Sequence, residues 1–356
     1  MKGTEFVQSI MPLPPAQREE AIYQAAIGGS WMRWPMTLVV VQDKGHEVGF
    51  VVSDDYFAIG EDGDYVRVPM NPLTAQRIAD RLGFMLPTAR MVDLVWRGAP
   101  VKVEPRPMQQ ELGRNGVPTG QIFIGQGQKA GQSSTAGFAA HNLIVDGQFA
   151  ALGLQPGIRA GHKKDVVLTN RQQGSATVTE VTGPAKSVDA SNQVAIYGWH
   201  RIKPASDCSK FPTIPGLCPI QGLSIVHDNK YADYSHGIRM VSPLAMADGQ
   251  SVNLVDILTS PTLAPLLSHE GVMKVLRQPH VPMPVGGESF LPATKTFLPN
   301  PTKAVLSTGG PADLGPVGPV LTAGLGGGGK ALLIVAGAVV GYYGLEWLLK
   351  QRRRAA

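Results

Sequence analysis

The chain has 356 residues, of which 43% are hydrophobic, so it can fold around a core of ordinary size and is not intrinsically disordered. Its net charge is +5, but +4 of this lies between Lys330 and the C-terminus, which leaves the rest of the chain close to neutral. These values argue against a basic nucleic-acid-binding face on the folded part.

Residues 1–103 are predicted to form an α+β scaffold lobe. A helical pattern over 16–27 ends at Gly28, and short β-rich runs follow between turn residues, as in an antiparallel meander. The predicted strands are 37–41, 48–53, 56–59 and 65–69.

Two helices with clear start signals complete this lobe. Asn71 and Pro72 supply the cap and the first-turn proline of a helix over 72–82, and Thr88 caps a helix over 89–97. Their apolar residues recur at helical spacing, which predicts that both helices pack on the meander.

Residues 104–138 are rich in Gly and Gln and are predicted to form a linker or a long loop. The next lobe, 139–278, starts with a predicted helix over 139–152 and continues with four strands that have polar residues at their ends. These strands are predicted around 166–168, 193–200, 221–226 and 237–241. Polar residues at the ends of neighbouring strands can meet, so this lobe is the candidate active-site lobe.

The C-terminal part of the chain has the composition of a stalk and a membrane anchor. Residues 279–330 are rich in Pro and Gly, 331–349 are almost entirely apolar, and 350–356 form a basic tail. As a helix, 331–349 would nearly cross the hydrocarbon core of a bilayer, which predicts one transmembrane helix. The alternative is an amphipathic or buried C-terminal helix.

Anchoring through the C-terminus predicts a lipid bilayer as a partner. The positive-inside rule places the basic tail on the cytoplasmic side, yet residues 1–13 lack the pattern of a secretory signal. Two locations stay open: a tail-anchored domain in the cytoplasm, or a domain that reaches a cell envelope or a virion membrane by another route.

Cys208 and Cys218 are the only two cysteines of the chain, and they lie close together in a Pro-rich loop. They either form a disulfide, which implies an oxidising compartment, or stay as thiols. Two thiols are too few for a structural zinc site by themselves.

The stretch 224–240 is the part of the chain that is densest in chemically active side chains. The predicted catalytic residues are His200, His227, Asp233, Ser235 and His236, and the predicted substrate-binding residues are Lys163, Lys164, Tyr234 and Arg239. His227, Asp233 and His236 offer the ligand set of a catalytic zinc ion with a bound water.

A metal-free site is the other possibility for these residues. Ser235 or Tyr234 would act as the nucleophile, with His200 or His227 as its base and a carboxylate to orient the imidazole. Histidines and tyrosines at strand ends also occur as purely structural, hydrogen-bonded groups, so the cluster has a structural interpretation as well.

The string Ser235-His236-Gly237-Ile238-Arg239-Met240 resembles the Ser-His-Gly-Cys motif of L,D-transpeptidases, and His227 lies upstream of it, as a histidine does in that family. Ile238 directly follows Gly237, so the catalytic cysteine is missing. The resemblance therefore does not imply transpeptidase activity.

A longer resemblance covers residues 160–241. The strings VAIYGWH at 194–200 and DYSHGIR at 233–239 are similar to an uncharacterised bacterial family of hypothetical proteins, as are 161–171 and 219–223. This resemblance implies no particular activity.

These patterns predict an α+β fold with a mixed or antiparallel sheet and packed helices, followed by a stalk and one C-terminal transmembrane helix. The expected function is that of a membrane-anchored hydrolase that cleaves an amide or ester bond of a cell-envelope polymer such as peptidoglycan. The alternative is a non-enzymatic structural protein of a membrane-containing virus particle or of a membrane-associated assembly.

Overall fold

The computed structural model describes residues 1–114, 116–153, 155–179 and 184–283, together with the backbone of 303–307. Within these ranges the protein has the α+β fold that the sequence predicts. The predicted transmembrane helix and basic tail, and most of the predicted stalk, lie outside the described residues. No helix in the described part is long and apolar enough to span a membrane.

Helices in the described part form where capping side chains and apolar spacing allow them. They are α1 Gly3–Ile10, α2 Pro15–Ile27, α3 Pro72–Leu82, α4 Ala89–Gly98, α5 Thr135–Leu152, α6 Leu254–Thr259 and α7 Ala264–Leu267. The Asn71 side chain accepts from the amide of Thr74 at the start of α3, and the Thr88 side chain accepts from the amide of Met91 at the start of α4.

Most strands are short. The first eight are β1 Met36–Asp43, β2 His46–Ser53, β3 Ala58–Glu61, β4 Asp64–Arg67, β5 Val101–Lys102, β6 Gln110–Leu112, β7 Pro118–Gly125 and β8 Gln128–Gly131. The others are β9 Arg159–Ala160, β10 Lys164–Val166, β11 Ser175–Val178, β12 Lys186–Asp189, β13 Ile196–His200, β14 Pro219–Ser224, β15 His236–Gly237, β16 Val241–Ala247, β17 Gln250–Asn253 and β18 Lys303–Ser307.

The larger sheet has the strand order β17-β16-β2-β1-β18. Strands β1 and β2 form an antiparallel hairpin whose two turn residues, Lys44 and Gly45, both have positive φ, as the right-handed twist of a tight hairpin requires. Strand β18 lies parallel to β1 at the sheet edge, with Lys303 opposite Leu38.

The second sheet contains the four strands whose polar ends mark the candidate site. Its strand order is β14-β13-β10-β15, and β10 lies antiparallel to β13 but parallel to β15. These strands, distant in sequence, therefore bring their polar residues into one part of the molecule.

One buried apolar cluster includes residues from both predicted lobes. Phe50, Ile78 and Leu94 of the first lobe and Val166 and Ile238 of the second belong to it. The two lobes therefore share a core. The stretch 104–138, predicted to be a linker or loop, contains the three-stranded antiparallel sheet β6-β7-β8.

Candidate functional site

Strands β10 and β15 position the candidate site. Lys164 lies opposite His236 and Asp165 lies opposite Gly237 in their parallel register. Because successive side chains of a strand point to opposite faces, Lys164 and His236 share one face of the sheet and Asp165 lies on the other. The two faces carry two different polar groupings.

Asp233, in the turn before β15, is the hub of the first grouping. Its Oδ1 accepts from the amide of Ser235 at 2.7 Å and from the Ser235 hydroxyl, and its Oδ2 accepts from the Tyr231 hydroxyl at 3.1 Å. Lys164 Nζ and His236 Nε2 lie 3.7 and 4.0 Å from Oδ2. Burial opposes the charge, but Lys164, His236 and Ser235 hold the pKa of Asp233 below its ordinary value, so it is a carboxylate at neutral pH.

His227 and Tyr231 form the outer side of this grouping. Their rings stack with centroids 4.0 Å apart, and Tyr231 meets His236 edge-on at 5.6 Å. Gln132, just before α5, donates to the Tyr231 hydroxyl at 3.0 Å. We call the group of Lys164, His227, Tyr231, Asp233, Ser235 and His236 the Asp233 centre.

Most residues of the Asp233 centre were predicted from the sequence, but no role was predicted for Tyr231 or for Gln132, which contacts it. Tyr231 lies within 224–240, the stretch that is densest in chemically active side chains, so a role for its hydroxyl could have been predicted from the sequence. Gln132 comes from the segment predicted to be a linker, about a hundred positions away, and no local pattern indicates its contact.

His236 is completely buried, and neither of its ring nitrogens has a hydrogen-bond partner among the described residues. Burial lowers its pKa to about 4, although the Asp233 carboxylate acts in the opposite direction. His236 is therefore a neutral imidazole at neutral pH, the form that can accept a proton.

Lowering the pH from 7 to 5 is expected to destabilise the protein through His236. An unfolded histidine titrates near 6.5 and folded His236 near 4, so the unfolded chain binds more protons between these values. The stability that neutral His236 contributes is thus lost as the pH falls through this window. Burial raises the pKa of Asp165 to about 6, so the folded protein binds this proton more readily than the unfolded chain. Protonation of Asp165 therefore stabilises the protein as the pH falls below 6.

Urea denaturation of the wild type and His236→Gln at pH 7 and pH 5 isolates the contribution of His236, because buried His162 and His141, whose pKa values are also lowered by burial, are present in both proteins. The variant keeps Asp165, so it is expected to lose less stability between the two pH values than the wild type. Equal losses in both proteins would show that His236 is not the group that titrates.

The structure does not form the zinc site predicted from His227, Asp233 and His236. No group of three or more His, Cys, Asp or Glu side chains in the described ranges is placed to hold a metal ion. The oxygens of Asp233 accept hydrogen bonds from Ser235 and Tyr231, and the His227 ring is stacked on Tyr231.

His200 lies outside the Asp233 centre. Its Nε2 is 2.5 Å from Asp93 Oδ1, and its ring stacks on Trp96 at a centroid distance of 5.3 Å. Asp93 also accepts from the Tyr197 hydroxyl and from the Thr213 hydroxyl. The predicted pairing of His200 with Ser235 or Tyr234 is thus replaced by a pairing with Asp93, which the sequence analysis did not single out.

The roles predicted for Lys163, Tyr234 and Arg239 in substrate binding do not fit their surroundings. Lys163 Nζ donates to the Tyr234 carbonyl at 2.6 Å and lies 3.2 Å from His141 Nδ1. The Tyr234 hydroxyl accepts from the amide of Met108. All three side chains are buried, so they do not reach the surface.

Ser235 is also buried, and its hydroxyl donates to Asp233 rather than to a histidine. This placement does not match the nucleophile role predicted for it. The structure assigns Ser235 to orienting the Asp233 carboxylate.

A buried ionic group between the lobes was missed by the sequence analysis. Arg67 donates through Nε and Nη2 to the two carboxylate oxygens of Asp55, at 2.9 and 2.7 Å, and His162 Nε2 lies 2.9 Å from Asp55 Oδ1. Asp146 contacts the same guanidinium from α5 at 2.6 Å. Arg67 and Asp55 are 12 positions apart, and neither lies in a recognisable sequence motif that would indicate their contact.

The structure joins Cys208 and Cys218 in a disulfide. The loop between them carries Thr213 and Ile214, which donate to Asp93 Oδ2 at 2.6 and 2.9 Å. The disulfide therefore closes the loop that helps to hold the Asp93–His200 pair.

Comparison with the models of known protein families, with curated proteins and with solved structures gives no significant match. The two sequence resemblances therefore stay predictions.

Proposed function

We propose that the protein is a hydrolase that cleaves an amide or ester bond of a cell-envelope polymer such as peptidoglycan, and that the Asp233 centre is its catalytic site. One observation carries the proposal: an ionised carboxylate, 6% exposed, is surrounded by a lysine, a tyrosine and a histidine at the edge of a sheet. Ionisable groups gathered around a shifted carboxylate are typical of functional sites.

The half-buried members of the centre would carry the chemistry, since they can reach a substrate. His227 would take a proton from water as the water attacks the carbonyl carbon, and Lys164 would stabilise the negative charge that develops on the carbonyl oxygen. The protonated His227 would then give its proton to the leaving amine or alcohol as the scissile bond breaks.

The buried members would position these two groups. Asp233 lies 3.7 Å from the Lys164 ammonium group and accepts from Tyr231, the ring on which His227 stacks. The apolar segment 331–349 and the basic tail support a location at a membrane, where an envelope polymer is within reach.

Asp233→Asn is expected to lower the rate of hydrolysis by at least about 100-fold, because the amide cannot balance the charge of Lys164 or orient Tyr231 in the same way. The assay measures soluble fragments released from purified peptidoglycan by the full chain. Asp228→Asn is the matched control, since Asp228 is an exposed aspartate of the same loop whose side chain, within the described ranges, caps only the Lys230 amide.

Lys164→Met is a second variant that tests the proposal if Asp233→Asn does not fold. It is expected to lose activity and also to lower the melting temperature, because Lys164, although partly exposed, is the main counter-charge of the buried Asp233 carboxylate; activity is therefore measured at a temperature at which the variant is folded. Full activity in a folded Asp233→Asn variant would rule out the Asp233 centre as the catalytic site. If the wild type releases no soluble fragments from any cell wall, the protein is not a peptidoglycan hydrolase.

A second candidate function is a structural protein of a membrane-containing virus particle or of a membrane-associated assembly. The observation that favours it is the burial of most predicted site residues, several of which hydrogen-bond to other buried groups of the fold. These residues are Lys163, His200, Asp233, Tyr234, Ser235, His236 and Arg239. Under this proposal Asp233→Asn lowers the melting temperature, and the wild type hydrolyses nothing.

A further inference from the structure

Helix α5 presents an apolar face to solvent along most of its length. Two of its large side chains are exposed, Leu143 at 51% and Ile144 at 39%. Small residues, which are half-buried or exposed, continue this face toward both ends of the helix. With Leu143 they recur every three or four positions, as residues on one side of a helix do. We define the α5 face by six residues: Ala136, Ala140, Leu143, Ile144, Gly147 and Ala150.

The composition of α5 favours a protein partner over a lipid surface. The helix contains no lysine or arginine, and its only acidic residue, Asp146, is bonded to Arg67 at 2.6 Å. A helix that lies on a bilayer typically carries lysines and arginines on its polar side, which bind anionic headgroups. The inner side of α5 is instead buried in the protein, through residues such as Phe138 and Val145. The α5 face therefore fits an uncharged apolar surface of another protein molecule.

Nothing in the described part of the fold requires a glycine at position 147. A glycine inside a helix costs about 0.5–1 kcal/mol relative to alanine. A Cβ added at Gly147 would meet nothing within 4 Å among the described residues. The other glycine inside α5 differs, because a Cβ at Gly137 would lie 2.8 Å from the Gly131 carbonyl oxygen. An exposed helical glycine lets a second backbone approach closely, so Gly147 indicates a partner on the α5 face.

The order of large and small residues along the α5 face is self-complementary in an antiparallel pair. Leu143 and Ile144 are the two middle residues of the 18-residue helix. A two-fold axis at that point places Leu143 of each copy beside Ile144 of the other. The same axis places Ala140 opposite Gly147, and the alanines near the two ends of the helix opposite each other. Small residues thus face small residues on both sides of the central pair, which allows the two helix axes to approach closely.

We infer that the α5 face is the interface of a homodimer in which α5 packs antiparallel on α5 of a second copy of this chain. An 18-residue helix is about 27 Å long, and a contact strip of this length is smaller than the standard interface of about 1,600 Å². The dimer is therefore weak and depends on protein concentration. None of the six residues of the α5 face belongs to the Asp233 centre, so the inference does not rest on the proposed hydrolase function.

Analytical ultracentrifugation of the full chain over about a hundredfold range of concentration tests this inference. The wild type is expected to shift from monomer to dimer as the concentration rises. Gly147→Gln is expected to raise the dissociation constant at least about 10-fold, because the added side chain takes the space of the second helix. Its melting temperature is not expected to fall, because a Cβ there meets nothing in the described part of the monomer and glutamine favours a helix more than glycine does.

Leu143→Glu is a second variant, which places two like charges at the centre of the interface and is expected to abolish the dimer. Leu112→Glu is the matched control, because Leu112 of β6 is a leucine outside α5 that is 60% exposed. It is expected to dimerise like the wild type. A wild type that stays monomeric at every concentration would overturn the inference, whether lipid or another part of the same chain then covers the α5 face. Equal dissociation constants in all four proteins would overturn it as well.

Discussion

Asp55→Asn is expected to lower the free energy of unfolding by about 3–5 kcal/mol, because it leaves the buried guanidinium of Arg67 without its main counter-charge. Both side chains are almost completely buried, and two hydrogen bonds join them. Although burial opposes it, Arg67 and His162 hold the pKa of Asp55 well below its ordinary value. This stabilisation is present above the unfolded pKa of about 3.9 and is lost as the pH falls below it.

Urea denaturation at pH 7 measures this loss, with Asp146→Asn as the matched control. Asp146 also binds Arg67, but its side chain is 39% exposed, so its removal is expected to cost only about 1 kcal/mol or less. Equal losses in the two variants would show that Arg67 does not depend on Asp55 more than on Asp146.

Gly161→Ala is expected to destabilise the protein by about 3 kcal/mol or more, because two costs add. Gly161 has a φ of 95°, which an alanine adopts only under strain. An added Cβ would also lie 2.0 Å from the carbonyl oxygen of Val103 and 2.8 Å from the Trp96 ring. The Val103 oxygen belongs to the backbone, and the Val103 amide is bonded to the Ala160 carbonyl, so this chain segment cannot easily move away.

Gly174→Ala separates the strain of the backbone from the steric clash. Gly174 has a φ of 65°, and a Cβ there would meet nothing within 4 Å. Its substitution is expected to cost only about 1 kcal/mol. Thermal or urea unfolding of both variants compares the two costs, and similar losses would mean that backbone strain alone sets the penalty.

Local signals predict the local structure of this chain well. Asn71, Pro72 and Thr88 mark the starts of α3 and α4 because capping depends on residues only two or three positions apart. The strands β6 to β8 were missed because their Gln, Lys and Gly residues do not alternate between apolar and polar. The turn between β7 and β8 carries no hydrophobic pattern either; it lies at Gln126 and Gly127, both of which have positive φ.

Much of the candidate site was predictable because several of its residues are close in sequence. Tyr231, Asp233, Ser235 and His236 form one turn and the start of one strand, so a dense stretch indicates their contact. Asp93 of α4 contacts His200 although the two residues are more than a hundred positions apart, and nothing in the local sequence of α4 indicates this contact. Contacts of this kind depend on the tertiary fold.

The Cys208–Cys218 bridge couples the redox state of the surroundings to the interior of the molecule. The loop it closes donates twice to Asp93, and Asp93 in turn holds the imidazole of His200 against the Trp96 ring. Reduction frees this loop and raises the entropy that must be lost to keep Thr213 and Ile214 in place. In a reducing compartment Thr213 and Ile214 would therefore be held less firmly against Asp93, and Asp93 would hold His200 less firmly in turn.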